Sequence, residues 1–152
     1  MSKKLQLKIV TPERLILEEM VEYVTLPTTE GEITIMPDHV PLIASLASGD
    51  IVAFENGEHI PMAVSGGFIE VKNSDSALGA VYTEVAILAD FAEHVSGITD
   101  DEIEKAKAKA EELHKLTENK EHVDFEHFEA ELERTLTRVK IADKWKSKKY
   151  RK

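Results

Sequence analysis

Apolar and polar residues alternate along the N-terminal part of the chain and recur every third or fourth position along the rest. Leu5, Leu7 and Ile9 take one side of an extended segment, Gln6, Lys8 and Val10 the other, and Thr11-Pro12-Glu13 ends the run. Leu15 to Leu17, Met20 to Leu26, Ile33 with Ile35, Ile43 to Leu46, Ile51 to Phe54, His59 to Val64, Phe68 to Val71 and Val85 to Asp90 repeat the extended pattern. Glu30-Gly31 and Pro37-Asp38 punctuate a strand-turn-strand corner within Leu26 to Gly49, with Glu32 and His39 on its turns. Asn56-Gly57 is a hairpin signal, because both residues tolerate positive φ. Ser65-Gly66-Gly67 allows close backbone approach, and a polar excursion from Lys72 to Thr83 precedes the last strand. About ten short antiparallel strands, punctuated about every ten residues, predict a β-sandwich over residues 1–95.

Near Ser96-Gly97 the period changes. Thr99 can cap a helix, Glu102 completes a capping box, and acids crowd the positive end of the dipole. Ile103, Ala106, Ala110, Leu113 and Thr117 then form a narrow, alanine-rich seam. Thr117 to Val123 is a polar break, and a second helix is predicted from Asp124, with Phe125, Phe128, Leu132, Leu136 and Val139 on one face and Trp145 near its end. Helices of roughly 18 and 23 residues, spanning about 27 and 35 Å, make an antiparallel hairpin over residues 96–152. The fold class is α+β: a sandwich followed by a two-helix hairpin.

Charge divides the chain in the same place. Of the net −10, residues 1–95 carry 5 Lys/Arg against 15 Asp/Glu, whereas residues 96–152 carry 14 against 14. Within that second part, Arg138 to Lys152 holds eight basic residues and one acid, a net of +7. An acidic body thus ends in a basic tip, made by Arg138, Lys140, Lys144, Lys146, Lys148 and Lys149 with the last residues. Such a tip reads either as a solvated tail, the ordinary outcome for an isolated charge run, or as a segment that seeks an acidic surface, nucleic acid or an acidic protein segment. The acidic body opposes nucleic-acid binding.

Candidate chemistry is sparse. With no cysteine, thiolate catalysis, disulfides and Cys-ligated metals are excluded. His122 and His127 are five residues apart, a spacing that turns them to different helix faces, so no metal site is expected. No phosphate loop or dinucleotide fingerprint occurs, and no cofactor is expected. No apolar leader precedes Leu5 and no apolar run is long enough to cross a bilayer, so any membrane association is expected to be indirect. The residues alone leave two readings open: a docking subunit of a larger assembly, or a free-standing sandwich whose basic arm binds an acidic protein or RNA.

With EGEITIMPDHVPLIASLASGDI (30–51), SGGFIEV (65–71), VAILADFAE (85–93) and AKAKAEEL (106–113) in order, the chain resembles the epsilon subunit of F-type ATP synthase over almost its whole length. That resemblance implies a non-catalytic rotor subunit on the central stalk, coupling the gamma subunit to the c-ring in proton-driven ATP synthesis. It places the chain peripherally on the cytoplasmic face of a bacterial plasma membrane or the equivalent organelle membrane. It also implies C-terminal helices that reach the catalytic beta and alpha subunits and inhibit ATP hydrolysis.

By the same resemblance, Glu32 matches the acidic position facing the c-ring and His39 the histidine near gamma. For members that bind ATP as a regulatory ligand, Glu93, Ile98, Arg134 and Arg138 match the nucleotide positions. Thr99, Glu102 and Ile103 depart from the motif at the start of the first helix. Glu102 puts an acid where a polyphosphate's arginine partner belongs, which argues against tight ATP binding. Arg134 and Arg138 are instead expected to pair with Glu131, Glu133 or another subunit. Asp38 stands where the family usually has glycine, and the excursion from Lys72 to Thr83 is longer than the usual turn.

Overall fold

The alternation that opens the chain becomes β1 (Leu5–Val10), with Leu5, Leu7 and Ile9 fully buried and the residues between them half-buried. The computed structural model describes residues 3–75, 81–118 and 125–151. Among these the further strands are β2 (Leu15–Val21), β3 (Tyr23–Thr28), β4 (Gly31–Ile35), β5 (Leu42–Ser45), β6 (Gly49–Glu55), β7 (Glu58–Asp75) and β8 (Val81–His94). Their order across the sheet is β2-β1-β8-β7-β6-β3-β4, and β5 pairs with β7 off this path. The sheet closes over one core, to which β1, β3, β6, β7 and β8 contribute Ile9, Leu26, Ile51, Met62, Ile69 and Ile87 among others. This is the expected β-sandwich, with two differences of detail. One neighbour pair, β1 and β8, runs parallel, and the described strands are eight, not about ten.

The lower count has a physical cause at Ser65-Gly66-Gly67. The two glycines do not separate strands; β7 runs through them in constant register with β8, from Met62 opposite His94 to Asp75 opposite Val81. Gly66 and Gly67 have φ of 69° and 124°, and a Cβ on Gly67 would lie 2.1 Å from the Leu88 carbonyl oxygen. They shift the pleat by one residue. Val64 and Ile69, at an odd spacing, both enter the core, as do Ala89 and Ala92 across the ladder. The excursion from Lys72 to Thr83 is largely an extension of this ribbon, since Lys72 pairs with Glu84 and Asn73 with Thr83; residues 76–80 lie outside the described residues.

Met20 to Leu26 is not one strand. It breaks at Glu22, whose N–H donates to the Phe54 carbonyl (2.8 Å) and whose carboxylate accepts from the Asn56 N–H (3.0 Å). The chain passes there from pairing with β1 to pairing with β6. Asn56 and Gly57, at φ of 51° and 77°, make the predicted two-residue turn between β6 and β7.

A 3-10 turn (Val95–Gly97) leads into α1 (Asp100–Glu118), followed by α2 (Phe125–Trp145). The capping box forms as predicted: the Thr99 N–H donates to Glu102 Oε2 (2.8 Å) and the Glu102 N–H to Thr99 Oγ1 (3.2 Å). Ile103, Ala106, Ala110 and Leu113 are buried along the predicted seam, and α1 packs on α2. The predicted face of α2 is displaced. Leu136 is 51% exposed, while Thr135, Thr137, Ile141, Ala142 and Trp145 are buried. The reason is that α2 is covered on two sides, by α1 and by the β7 side of the sandwich. The side chains of Thr117, Phe125, Phe128, His122 and His127 lie outside the described residues. No helix among the described residues is long and apolar enough to cross a membrane.

Candidate functional site

Four groups of residues were singled out by sequence, and the fold places them in four regions. His39 sits in the turn between β4 and β5, its N–H bonded to the Met36 carbonyl (3.1 Å) and its Nδ1 2.7 Å from the Val40 carbonyl oxygen. Asp38 beside it has φ of 68°, a left-handed conformation that explains why glycine suits this position. Its backbone N–H donates to Thr83 Oγ1 (2.6 Å) and its carboxylate pairs with Lys3 (2.8 Å). Thr83 is buried and donates to Asn73 Oδ1 (3.0 Å), and Asn73 Nδ2 donates to the His39 carbonyl (3.3 Å). The extended ribbon therefore braces the histidine turn.

Beside that turn the sheet shows an uncovered apolar face. Phe68 and Leu88 face each other across β7 and β8 and are 61% and 59% exposed; Ile43 on β5, opposite Glu70, is 78% exposed. Met36 and Val40 of the turn and Leu15 of β2 are exposed as well. Sequence reasoning missed this patch, because the pleat shift at Gly66-Gly67 reverses which residues of β7 face outward.

Glu32 is on β4, opposite Pro27, and not on a turn as read from sequence. Both Glu30 and Glu32 are exposed at this hairpin end, where Thr28 Oγ1 accepts from the Glu30 N–H (3.2 Å).

Glu93, Arg134 and Arg138 do come together, in a cleft of about 260 Å³ that Glu13, Arg14 and Phe91 also line. Ile98 lies outside this lining, its N–H bonded to the Val95 carbonyl (3.0 Å). Arg138 binds Glu93 through Nε (2.7 Å) and Nη2 (3.3 Å), and Nη2 stands 4.0 Å from Glu102. Arg134 lies 5.8 Å over the Phe91 ring. The expected helix partners are engaged elsewhere: Glu131 with Lys109, and Glu133 with the Ser48 hydroxyl (2.6 Å). The Thr99 backbone N–H, then its hydroxyl, hold the Glu102 carboxyl below its ordinary range, so an anionic group faces Arg138.

The basic tip folds onto the chain's own acidic body. Lys144 Nζ (2.8 Å) and the Trp145 indole N–H (3.0 Å) both donate to Asp50 Oδ2. Beyond α2, the Arg151 guanidinium grips Glu19 with two hydrogen bonds, one of 2.7 Å, and its backbone N–H donates to the His59 carbonyl (2.8 Å). That guanidinium pulls the Glu19 carboxyl below its ordinary range. Lys148 lies 5.3 Å over the Trp145 ring, and Lys140, Lys146 and Lys149 are exposed. A lone tryptophan within a basic segment was the signal that this tip has a buried seat.

An acidic β-sandwich with one bare apolar face, carrying a helical hairpin clamped to its opposite half, is the build of a docking subunit. A family model described as the beta-sandwich domain of the ATP synthase delta/epsilon chain matches residues 4–95. ATP synthase epsilon chains of Nitratidesulfovibrio vulgaris (39% identity over 141 residues, 93% of this chain and 97% of that one) and Desulforamulus reducens (34% over 143 residues, 94% and 100%) are similar along nearly their whole length. Chains of the mitochondrial ATP synthases of Euglena gracilis (TM-score 0.65, 23% identity, 88% of this chain and 78% of that one) and Tetrahymena thermophila (0.52, 14%, 94% and 96%) share the fold. The chain belongs to the ATP synthase delta/epsilon family, on the epsilon side, and is a non-catalytic subunit of that enzyme complex.

Proposed function

We propose that this chain is a rotor part of a proton-driven F-type ATP synthase, seated in the central stalk at the cytoplasmic face of a bacterial plasma membrane. The bare face of β5, β7 and β8, with the His39 turn at its edge, docks the gamma subunit. The β3–β4 hairpin end, with Glu32, meets the c-ring. Torque then passes through a stiff sandwich that performs no chemistry. The two similar solved chains come from assemblies whose descriptions include the c-ring, which supports this placement.

The observation that carries the reading is the cluster of Ile43, Phe68 and Leu88, each more than half exposed on a rigid sheet. Large apolar side chains held together in water mark a surface that another protein covers. Co-purification tests it: gamma should accompany the tagged chain and be lost from an Ile43→Ser/Phe68→Ser double variant. Retention on a polyanion with no gamma would replace the rotor with a free-standing acidic-partner or RNA module.

The hairpin, residues 96–152, is proposed to restrain ATP hydrolysis when it leaves the sandwich and presents Arg138, Lys140, Lys144, Lys146, Lys148 and Lys149 to the catalytic beta and alpha subunits. Deleting residues 124–152 should raise ATPase activity of the assembled head without preventing rotor assembly. Glu102 and Glu93 already occupy Arg138, so the docked hairpin is held without ATP. Calorimetry with ATP should show no tight binding.

A further inference from the structure

We infer that the docked hairpin is held from its far end, by a two-part latch in which Asp50 on β6 is the catch and the segment after α2, ending in Arg151, is a strap. The latch operates in the free chain, whatever assembly holds it, and is separate from the cleft at Glu93.

The geometry makes the catch specific. Asp50 is nine-tenths buried, and both donors that reach its carboxylate, Lys144 Nζ and the Trp145 indole N–H, come from the last turn of α2. A buried carboxylate is tolerated only while such donors are present. Trp145 is itself only 6% exposed and packs with Ala63, Val95 and Ile141. Its ring ends a row that runs from Tyr23 stacked on Phe54 (4.9 Å) through His59 (5.1 Å) to Trp145 (5.9 Å), with Tyr150 edge-on to it (5.9 Å). Indole and carboxylate therefore fit only together: if α2 lifts, Asp50 loses both donors and Trp145 loses its apolar seat.

The strap differs in kind. Arg151 and Glu19 keep side-chain exposures of 35% and 28%, so salt screens their attraction. The Asp50–Trp145 bond is closed to solvent and is screened far less. Because α1 packs on α2, and α2 on the sandwich, lifting the end of α2 frees the pair of helices together. Release thus begins beyond the end of α2, strap first and catch second, and the Arg138–Glu93 pair parts afterwards as the rest of α2 lifts.

Trp145 is the chain's sole tryptophan, so its fluorescence reads the latch directly in the full-length chain. Acrylamide should quench it weakly in the unaltered chain and several-fold more strongly in Asp50→Ala, with the sheet's circular dichroism retained. Arg151→Glu should give a smaller gain, and the unaltered chain should approach it at about 0.5 M salt. Pairing Arg151→Glu with Glu19→Arg should restore protection. That swap also decides the matter if Asp50→Ala does not fold. Trp145 staying protected in a folded Asp50→Ala would overturn the latch, as would Arg138→Ala exposing it while Arg151→Glu has no effect, or a charge swap that restores nothing.

Discussion

Residues 58–65 and 67–75 belong to one strand and pair with one partner, yet their outward faces meet different fates. In the first half Ala63 faces α2 and is sealed beneath Ile141 and Trp145; across the ladder, Glu93 is bound by Arg138 and Phe91 lies under Arg134. In the second half Phe68 and its neighbour Leu88 stand in water. Between them lie two glycines that shift the pleat. A single ribbon thereby gives one outward face to its own helices and leaves the other bare, so under the proposed function the hairpin can leave without disturbing the docking surface.

Removing the shift should have the largest effect. Gly67→Ala places a methyl group against the Leu88 carbonyl at a φ that side chains rarely adopt. Urea unfolding should show a loss of more than about 3 kcal/mol. Next comes the bare half. Phe68→Ser with Ile43→Ser should leave the midpoint of unfolding almost unchanged, since neither side chain is buried, but weaken gamma binding on the order of a hundredfold. On the covered side, Thr99→Ala removes the hydroxyl that caps α1 and should cost about 1 kcal/mol of helix stability, seen as earlier loss of the helical signal on heating.

The smallest effect is that of acid on the strap. The Arg151 guanidinium depresses the carboxyl of Glu19 in the folded chain, so the contribution of this pair is complete above the ordinary glutamate range. It is lost as pH falls through the lowered folded value. Trp145 should therefore become more quenchable as pH falls below the ordinary glutamate range, and Glu19→Gln should abolish that step.

The sandwich and the hairpin were legible because alternation and three-four periodicity report burial directly, and because Asn56-Gly57 and the Thr99-Glu102 box are local signals with local geometry. The clustering of Glu93, Arg134 and Arg138 followed from resemblance and not from spacing. What stayed hidden depends on tertiary contact. Alternation across Val64 to Ile69 reads as two strands, since nothing local says that consecutive glycines will continue a ladder while changing its phase. The face of α2 was displaced because periodicity assumes one covered side, whereas Thr137, Ile141 and Trp145 are buried by the sandwich and Thr135 and Ala142 lie on another side of the helix. The partners of the basic tip are Asp50 and Glu19, far away in sequence, and charge counting could name the attraction without naming the acids.

Hydrogen exchange of the full-length chain, free and with gamma bound, tests the division of the ribbon most directly. Gamma should slow exchange in residues 40–45, 67–72 and 86–90 while leaving 60–64 and 91–94 unchanged. Protection confined to 60–64 and 91–94, with 67–72 exchanging as in the free chain, would contradict it.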